Sequence, residues 1–188
     1  MTSPPQVTTP AHCCLPAAFK LDISFPELGL HSVDLAYTIA RSTPRALQAL
    51  GVITDIPEAG NCCIGLSDSL HLLWIGPDYW LWVDRVSPSS ATTGINVDRK
   101  DLVLLDAHAQ FVAIDVSGKH ASALLSTACS VDLREQAFPL GMATRTRYAD
   151  VPVIVFRTPI CKDFVVLVER PLVEHLANLL NYAAQEFR

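Results

Sequence analysis

The eight glycines of this chain never stand two apart as G-x-G. The dinucleotide-binding fingerprint is therefore missing. There is no P-loop and no G-x-S-x-G elbow; Asp115-Val116-Ser117-Gly118 reads only as a strand running into a turn. Cysteines are present but never as C-x-x-C, which argues against a zinc ribbon or a thioredoxin-type site. No apolar run reaches the ~18 residues a membrane-spanning helix needs. The N-terminus carries no apolar h-region of a secretory signal, so the expectation is a cytoplasmic chain with reduced thiols. Charge is also scarce. Only 18% of residues are charged, against roughly 25% in an average soluble domain. An apolar surface hidden in a permanent complex is the expected explanation of the shortage, with a large, well-filled core as the alternative. The net charge of −5 disfavours nucleic acid as the main partner. The basic residues comprise ten Arg and four Lys, and Arg is the cation favoured in interface ion pairs.

What the chain does have is concentrated. All three tryptophans, Trp74, Trp80 and Trp82, lie in the stretch Leu70 to Val83, LHLLWIGPDYWLWV. Gly76-Pro77-Asp78 is turn chemistry between two apolar runs, which predicts a β-hairpin. With Gly76 and Tyr79 flanking the turn, Ile75 would face Trp80 and Leu73 would face Trp82. Both faces are then apolar, so the hairpin must be covered on both sides, by its own helices or by another chain.

The rest of the chain reads as follows. Residues 1–16 are a Pro- and Thr-rich tail. Residues 17–188 form one domain, or two halves joined by a flexible connector at 87–94 (SPSSATTG). Strands are predicted at Phe19 to Ile23, Ser32 to Ala40, Cys62 to Leu66, Phe111 to Val116, Met142 to Tyr148, Val151 to Phe156 and Phe164 to Val168. In the second of these, Val33, Leu35, Tyr37 and Ile39 share a face. Thr43 caps a short helix with Pro44 at its first position and Gly51 at its end. Helices are also predicted over Arg99 to Ala107, with Val103 and Leu104 inward, over Lys119 to Cys129, and over a C-terminal amphipathic stretch from Leu172 to Phe187. The fold class is α+β with mainly antiparallel sheets.

Candidate chemistry is sparse. His12 beside Cys13 and Cys14 is a weak metal cluster. Asp106 and His108 are two apart, which aligns them only if they lie on a strand. The remaining cysteines, Cys62, Cys63, Cys129 and Cys161, read as free thiols. Arg145 and Arg147 lie on one face of a predicted strand, with Asp150 in the following turn. They form either a solvated strand face or an Arg patch that pairs with carboxylates of a partner subunit. No flavin, nucleotide, metal or hydrolytic site emerges from the residues themselves.

Several of these stretches together resemble the gamma subunit family of heterotetrameric sarcosine oxidase. The W-x-G-P-D-x-W-L hairpin of that family is matched by Trp74 to Leu81. Its strand-turn-helix is matched by Val112 to Gly118 and the helix running to Ala128. Its C-x-x-D-L segment is matched by Cys129 to Leu133, and its F-P-x-G by Phe138 to Gly141, followed by the Thr-rich strand Ala143 to Thr146. The resemblance spans Leu47 to Phe187. The chain departs from it at Tyr79, where an acidic residue is usual, and at Pro171, where a small polar residue usually opens the last helix.

The resemblance implies a fold similar to the folate-binding aminomethyltransferase of glycine cleavage. It also implies a subunit with no catalytic, cofactor-binding or metal-binding residues of its own. Trp74, Asp78, Tyr79, Trp80, Trp82, Arg145 and Arg147 are then structural or interface candidates. The implied partners are alpha, beta and delta chains. FAD, FMN, NAD and tetrahydrofolate are implied in those partners, which demethylate sarcosine and pass its methylene to tetrahydrofolate. Two alternatives stay open. One is the matching subunit of a related N-methyl amino acid dehydrogenase complex. The other is a free-standing folate-binding aminomethyltransferase-like protein, for which Asp115 and Asp132 would be the pterin-holding candidates.

Overall fold

The structure, a computed structural model, describes residues 19–55, 62–66, 70–84, 102–107, 109–157 and 163–188. The tail at 1–16, the connector at 87–94, His12, Cys13, Cys14, His108 and Cys161 fall outside the described residues.

Two antiparallel sheets stack face to face. The larger holds β1 (Asp22–Phe25), β2 (Leu28–Val33), β8 (Phe111–Ser117), β11 (Phe164–Glu169), β10 (Val151–Phe156) and β9 (Ala143–Tyr148), in that order across the sheet. The smaller holds β4 (Cys62–Gly65), β5 (Leu70–Gly76), β6 (Tyr79–Asp84), β3 (Ala36–Arg41) and β7 (Val103–Asp106). Helices α2 (Ala121–Ser126) and α3 (Val173–Ala184) supply Leu124, Leu125, Leu176 and Leu180 to the core on the outer face of the larger sheet. Helix α1 (Pro44–Ala49) supplies Leu47 to the core on the outer face of the smaller one. The sequence of layers is helix, sheet, sheet, helix, with a separate apolar core in each of the three gaps. Strands from both sides of the 87–94 stretch contribute to both sheets.

This layering accounts for the shortage of charge. Sheets covered on both faces need apolar residues on both faces. Among the described residues, only Val103, Leu105, Leu140 and Tyr182 are large hydrophobics left exposed. The expectation of a broad apolar surface is thus replaced by the large-core reading.

The predicted strand from Ser32 to Ala40 is two strands. The chain leaves the larger sheet at Val33 and enters the smaller one at Ala36. Yet the alternation was meaningful: Leu35, Tyr37 and Ile39 lie in the core between the sheets, with Val33 packed against it. The chain changes sheet while keeping the same set of side chains inward.

The predicted helix from Arg99 to Ala107 is wrong in type. Residues Val103–Asp106 form edge strand β7 on β3, with Leu105 opposite Ile39. Val103, expected inward, is exposed, and Leu102 is buried instead. A short apolar run carries no helical or strand period of its own, and pairing with β3 decides it. The first strand also begins later than expected, at Asp22, because its register is set by the turn at Pro26 and Glu27, which pairs Phe25 with Leu28.

The other elements form close to where the sequence places them. Helix α1 is capped as expected: the Thr43 hydroxyl accepts from the Ala46 amide at 3.2 Å, and Gly51 follows with φ +71°. The C-terminal helix buries Val173, Leu176, Ala177, Leu180 and Ala184 along one stripe.

Candidate functional site

The Trp hairpin is β5 and β6. Gly76 does pair with Tyr79, but Trp74 pairs with Trp80 and Leu72 with Trp82, so the predicted facing pairs are displaced by one residue. A bulge at Ile75 causes the shift. Its physical reason lies in the turn. Proline fixes a negative φ at Pro77, and Asp78 has φ +50°. That combination has the twist of a type II turn, which splays a two-residue hairpin. The extra residue at Ile75 restores the strand pairing.

The bulge sorts the side chains. Leu73, Ile75, Leu81 and Val83 face the larger sheet. Leu72, Trp80 and Trp82 face α1, with Trp74 packed at the margin of that cluster. Trp74 and Trp80 stack at 4.9 Å between ring centroids, 15° from parallel. Trp80 and Trp82 are 0% and 1% exposed. The Trp80 indole donates to the Ser42 carbonyl at 2.9 Å, and the Trp74 indole to the Gly76 carbonyl at 2.9 Å. The buried Trp82 indole N–H has no acceptor among the described residues. Asp78 is exposed at the turn, where its carbonyl accepts from the Ser42 amide at 3.2 Å.

Tyr79 leads out of this core into a charged cluster. By register, Tyr79 of β6 lies opposite Arg41 of β3, and both extend the inner face of the smaller sheet. The Arg41 guanidinium sits over the Tyr79 ring at 4.4 Å, and that of Arg145 lies 5.7 Å from the same ring. Arg145 and Arg147 occupy one face of β9, as the sequence predicts, opposite Ile154 and Pro152 of β10. That face is the inner one, because Ala143 and Ile154 on it reach the core between the sheets. Arg147 donates to the main-chain carbonyl of Asp150, whereas the Asp150 carboxylate contacts His175 at 3.3 Å. Among the described residues, none of Arg41, Arg145 and Arg147 ion-pairs with a carboxylate.

Between these elements lies a groove of about 280 Å³. Its walls include Tyr79, Arg145, Arg147, Gln110 and Glu169, over a floor that includes Phe111 and Leu167. Arg41, Gln110 and Glu169 were not singled out from the sequence. Arg41 did carry a signal, since it is the charged residue that ends the apolar face Val33, Leu35, Tyr37, Ile39.

The remaining candidates do not converge. Asp115 lies on β8, on the face that alternates toward the smaller sheet. Asp132 follows α2 on the helix side of the same sheet, between Val131 and Leu133 of the helix-side core. Asp132 is exposed and bound by the Arg134 side chain, which with the Arg134 amide lowers its carboxyl to about 2. The two aspartates therefore do not face one pocket. Cys62, Cys63 and Cys129 are half-buried, and burial pushes the Cys62 thiol up. Burial likewise raises Tyr37, whose hydroxyl is enclosed without a partner among the described residues. No group of three or more metal-ligating side chains occurs among the described residues. No described helix is long and apolar enough to cross a membrane.

Comparison with known proteins supplies the relationship. No protein-family model matches the chain. It is 29% identical over 147 residues to the sarcosine oxidase gamma subunit of Corynebacterium sp. (strain P-1), covering 76% of this chain and 70% of that protein. The solved structure of heterotetrameric sarcosine oxidase from Corynebacterium sp. U-96 contains a chain that superposes with a TM-score of 0.75. That match is 23% identical and covers 88% of both chains. The glycine cleavage aminomethyltransferase T of Bartonella henselae superposes with a TM-score of 0.57 at 12% identity, covering 82% of this chain but 45% of that one. The two structural likenesses establish the fold expected from the sequence, antiparallel sheets with helices as in the aminomethyltransferase. This chain is thus similar in sequence to proteins named sarcosine oxidase subunit gamma and shares its fold with a chain of the heterotetrameric sarcosine oxidase.

Proposed function

We propose that this chain is the gamma subunit of a heterotetrameric flavoenzyme that oxidatively demethylates sarcosine or a similar N-methyl amino acid. In this reading it is a scaffold. Alpha, beta and delta chains surround it, and the alpha and beta chains carry FAD, FMN, NAD and the transfer of the methylene to tetrahydrofolate. The observation that carries the reading is the sequence match to sarcosine oxidase gamma subunits over about three quarters of the chain.

The arrangement of side chains supports a scaffolding role over an independent folate enzyme. A pterin site needs convergent polar groups in one pocket. Asp115 and Asp132, its sequence candidates, lie on opposite sides of the larger sheet. The aminomethyltransferase likeness reaches less than half of that enzyme's chain, and fold alone does not assign an activity.

The test is assembly. The chain is co-produced with the large flavoprotein chains of its own genome and analysed by native mass spectrometry. A stoichiometric complex that turns over sarcosine or another N-methyl amino acid is expected. Large chains that assemble and turn over fully without this chain would refute the proposal.

A further inference from the structure

We propose that the mouth where the two sheets part is the seat of an acidic segment of a partner subunit, whose carboxylates are held by Arg41, Arg145 and Arg147. The inference rests on the subunit reading above and names the surface and the chemistry of the contact.

The mouth is visible in how burial changes along the strands. On β9, Ala143 is buried and Arg145 and Arg147, on the same face, are exposed. On β10, Phe156 and Ile154 are buried and Pro152 is exposed. On β11, Val165 and Leu167 are buried and Glu169 is exposed. The smaller sheet does the same. Ile39 is buried and Arg41 exposed, and Leu81 is buried and Tyr79 half-buried. By register, Leu105 and Val103 of β7 continue the face of Ile39 and Arg41, and they are 52% and 50% exposed. These are inner faces of a sandwich, and at this corner neither sheet covers the other.

The charge is one-sided. Three guanidiniums stand at the mouth without a carboxylate partner among the described residues, and Glu169 is the acid that lines the groove. Asp78 stands exposed beside Tyr79 at the turn. This concentration runs against the whole chain, whose net charge is −5. Guanidiniums bind carboxylates bidentately, and one stacked on an aromatic ring is held ready to do so. Arg41 over Tyr79 has that arrangement. The apolar floor at Phe111 and Leu167, with half-exposed Val103 and Leu105 on the continuing face, suits the aliphatic parts of Glu and neighbouring side chains. Apolar floor with a cationic rim is the composition of a protein–protein contact, in which Arg is enriched.

The test converts one arginine into a reporter of what touches it. Arg147→Lys keeps the charge and provides an amine that a carbodiimide couples to a carboxylate in contact. The variant is assembled into the complex, coupled and mapped by mass spectrometry. Arg134→Lys, beside Asp132, serves as the positive control for coupling within the chain. A cross-link from the amine introduced by Arg147→Lys to an Asp or Glu of a partner subunit is the expected product. A cross-link from that amine to a carboxylate of its own chain or of a second copy, or no product while the control couples, would overturn the inference.

A second measurement uses the paired reversal Arg145→Glu with Arg147→Glu. Retention of the partner chains should fall at least about tenfold at about 0.15 M salt, because like charges then meet across the contact. The melting temperature of the isolated variant should fall only slightly, since both side chains are exposed and lose only the Arg147 bond to the Asp150 carbonyl and the distant contact of Arg145 with the Tyr79 ring. Unchanged retention in the reversed variant overturns the mouth alone. If the unaltered chain fails to assemble, the subunit reading and this inference fall together.

Discussion

Trp80 and Trp82 are both sealed from solvent, yet they differ in one bond. The Trp80 indole N–H donates to the Ser42 carbonyl, whereas the Trp82 N–H has no acceptor among the described residues. Replacement by Phe removes the N–H and part of the ring in both. Trp80→Phe also removes the hydrogen bond to the Ser42 carbonyl, so it should cost about 1 kcal/mol more than Trp82→Phe. Chemical denaturation of the two variants checks this, and equal losses would deny the bond a stabilising part. The sequence placed all three tryptophans in one hairpin and required cover on both faces. It did not show which face each would take, because the bulge at Ile75 moves the pairing by one residue. In a period of two, a shift of one residue exchanges the faces. The only hint was local: a Pro at the first turn position and an Asp at the second do not make a favoured two-residue hairpin turn.

Among the elements, the strand-turn-helix from β8 to α2 depends most on a single residue. Gly118 has φ +106°, and a Cβ there would lie 2.3 Å from the Glu27 carbonyl oxygen in the turn between β1 and β2. Both the backbone angle and the close approach exclude a side chain. Gly118 also donates its amide to Asp163 at 2.7 Å, and the same Glu27 carbonyl accepts from His120 at 3.2 Å. Gly118→Ala should therefore lose at least the roughly 1–3 kcal/mol of backbone strain, with the clash added. Thermal unfolding measures it; a change below about 0.5 kcal/mol would mean that the turn yields freely. Most elements were legible because their signals are local: the cap and proline of α1, the stripe of α3, the apolar runs of β10 and β11. The failures share a cause. Strand β7 and the break at Asp34 and Leu35 are decided by which strand lies alongside, and that information is nonlocal. The arginine mouth was half legible for the same reason. Arg145 and Arg147 share a face by simple alternation, but Arg41 and Tyr79 join them from the other sheet, and no spacing in the sequence announces it.

For the molecule as a whole, three cores stacked between four layers explain both the apolar composition and the scarcity of charge. The Trp hairpin sits at the centre of this arrangement, with one face in the middle core and the other in the core against α1. Its turn carries Tyr79 to the mouth between the sheets. The central claim is that the chain holds a complex together and leaves the chemistry to its partners. Truncating a large buried aromatic costs roughly 3–5 kcal/mol, a large part of the about 5–15 kcal/mol that stabilises a domain. The most direct measurement takes the Trp80→Ala chain, assembles it with its partners, and records both the yield of complex and the turnover per bound flavin. The account predicts a reduced yield with turnover per flavin unchanged. Normal assembly with collapsed turnover per flavin would place the hairpin at the chemistry and contradict it.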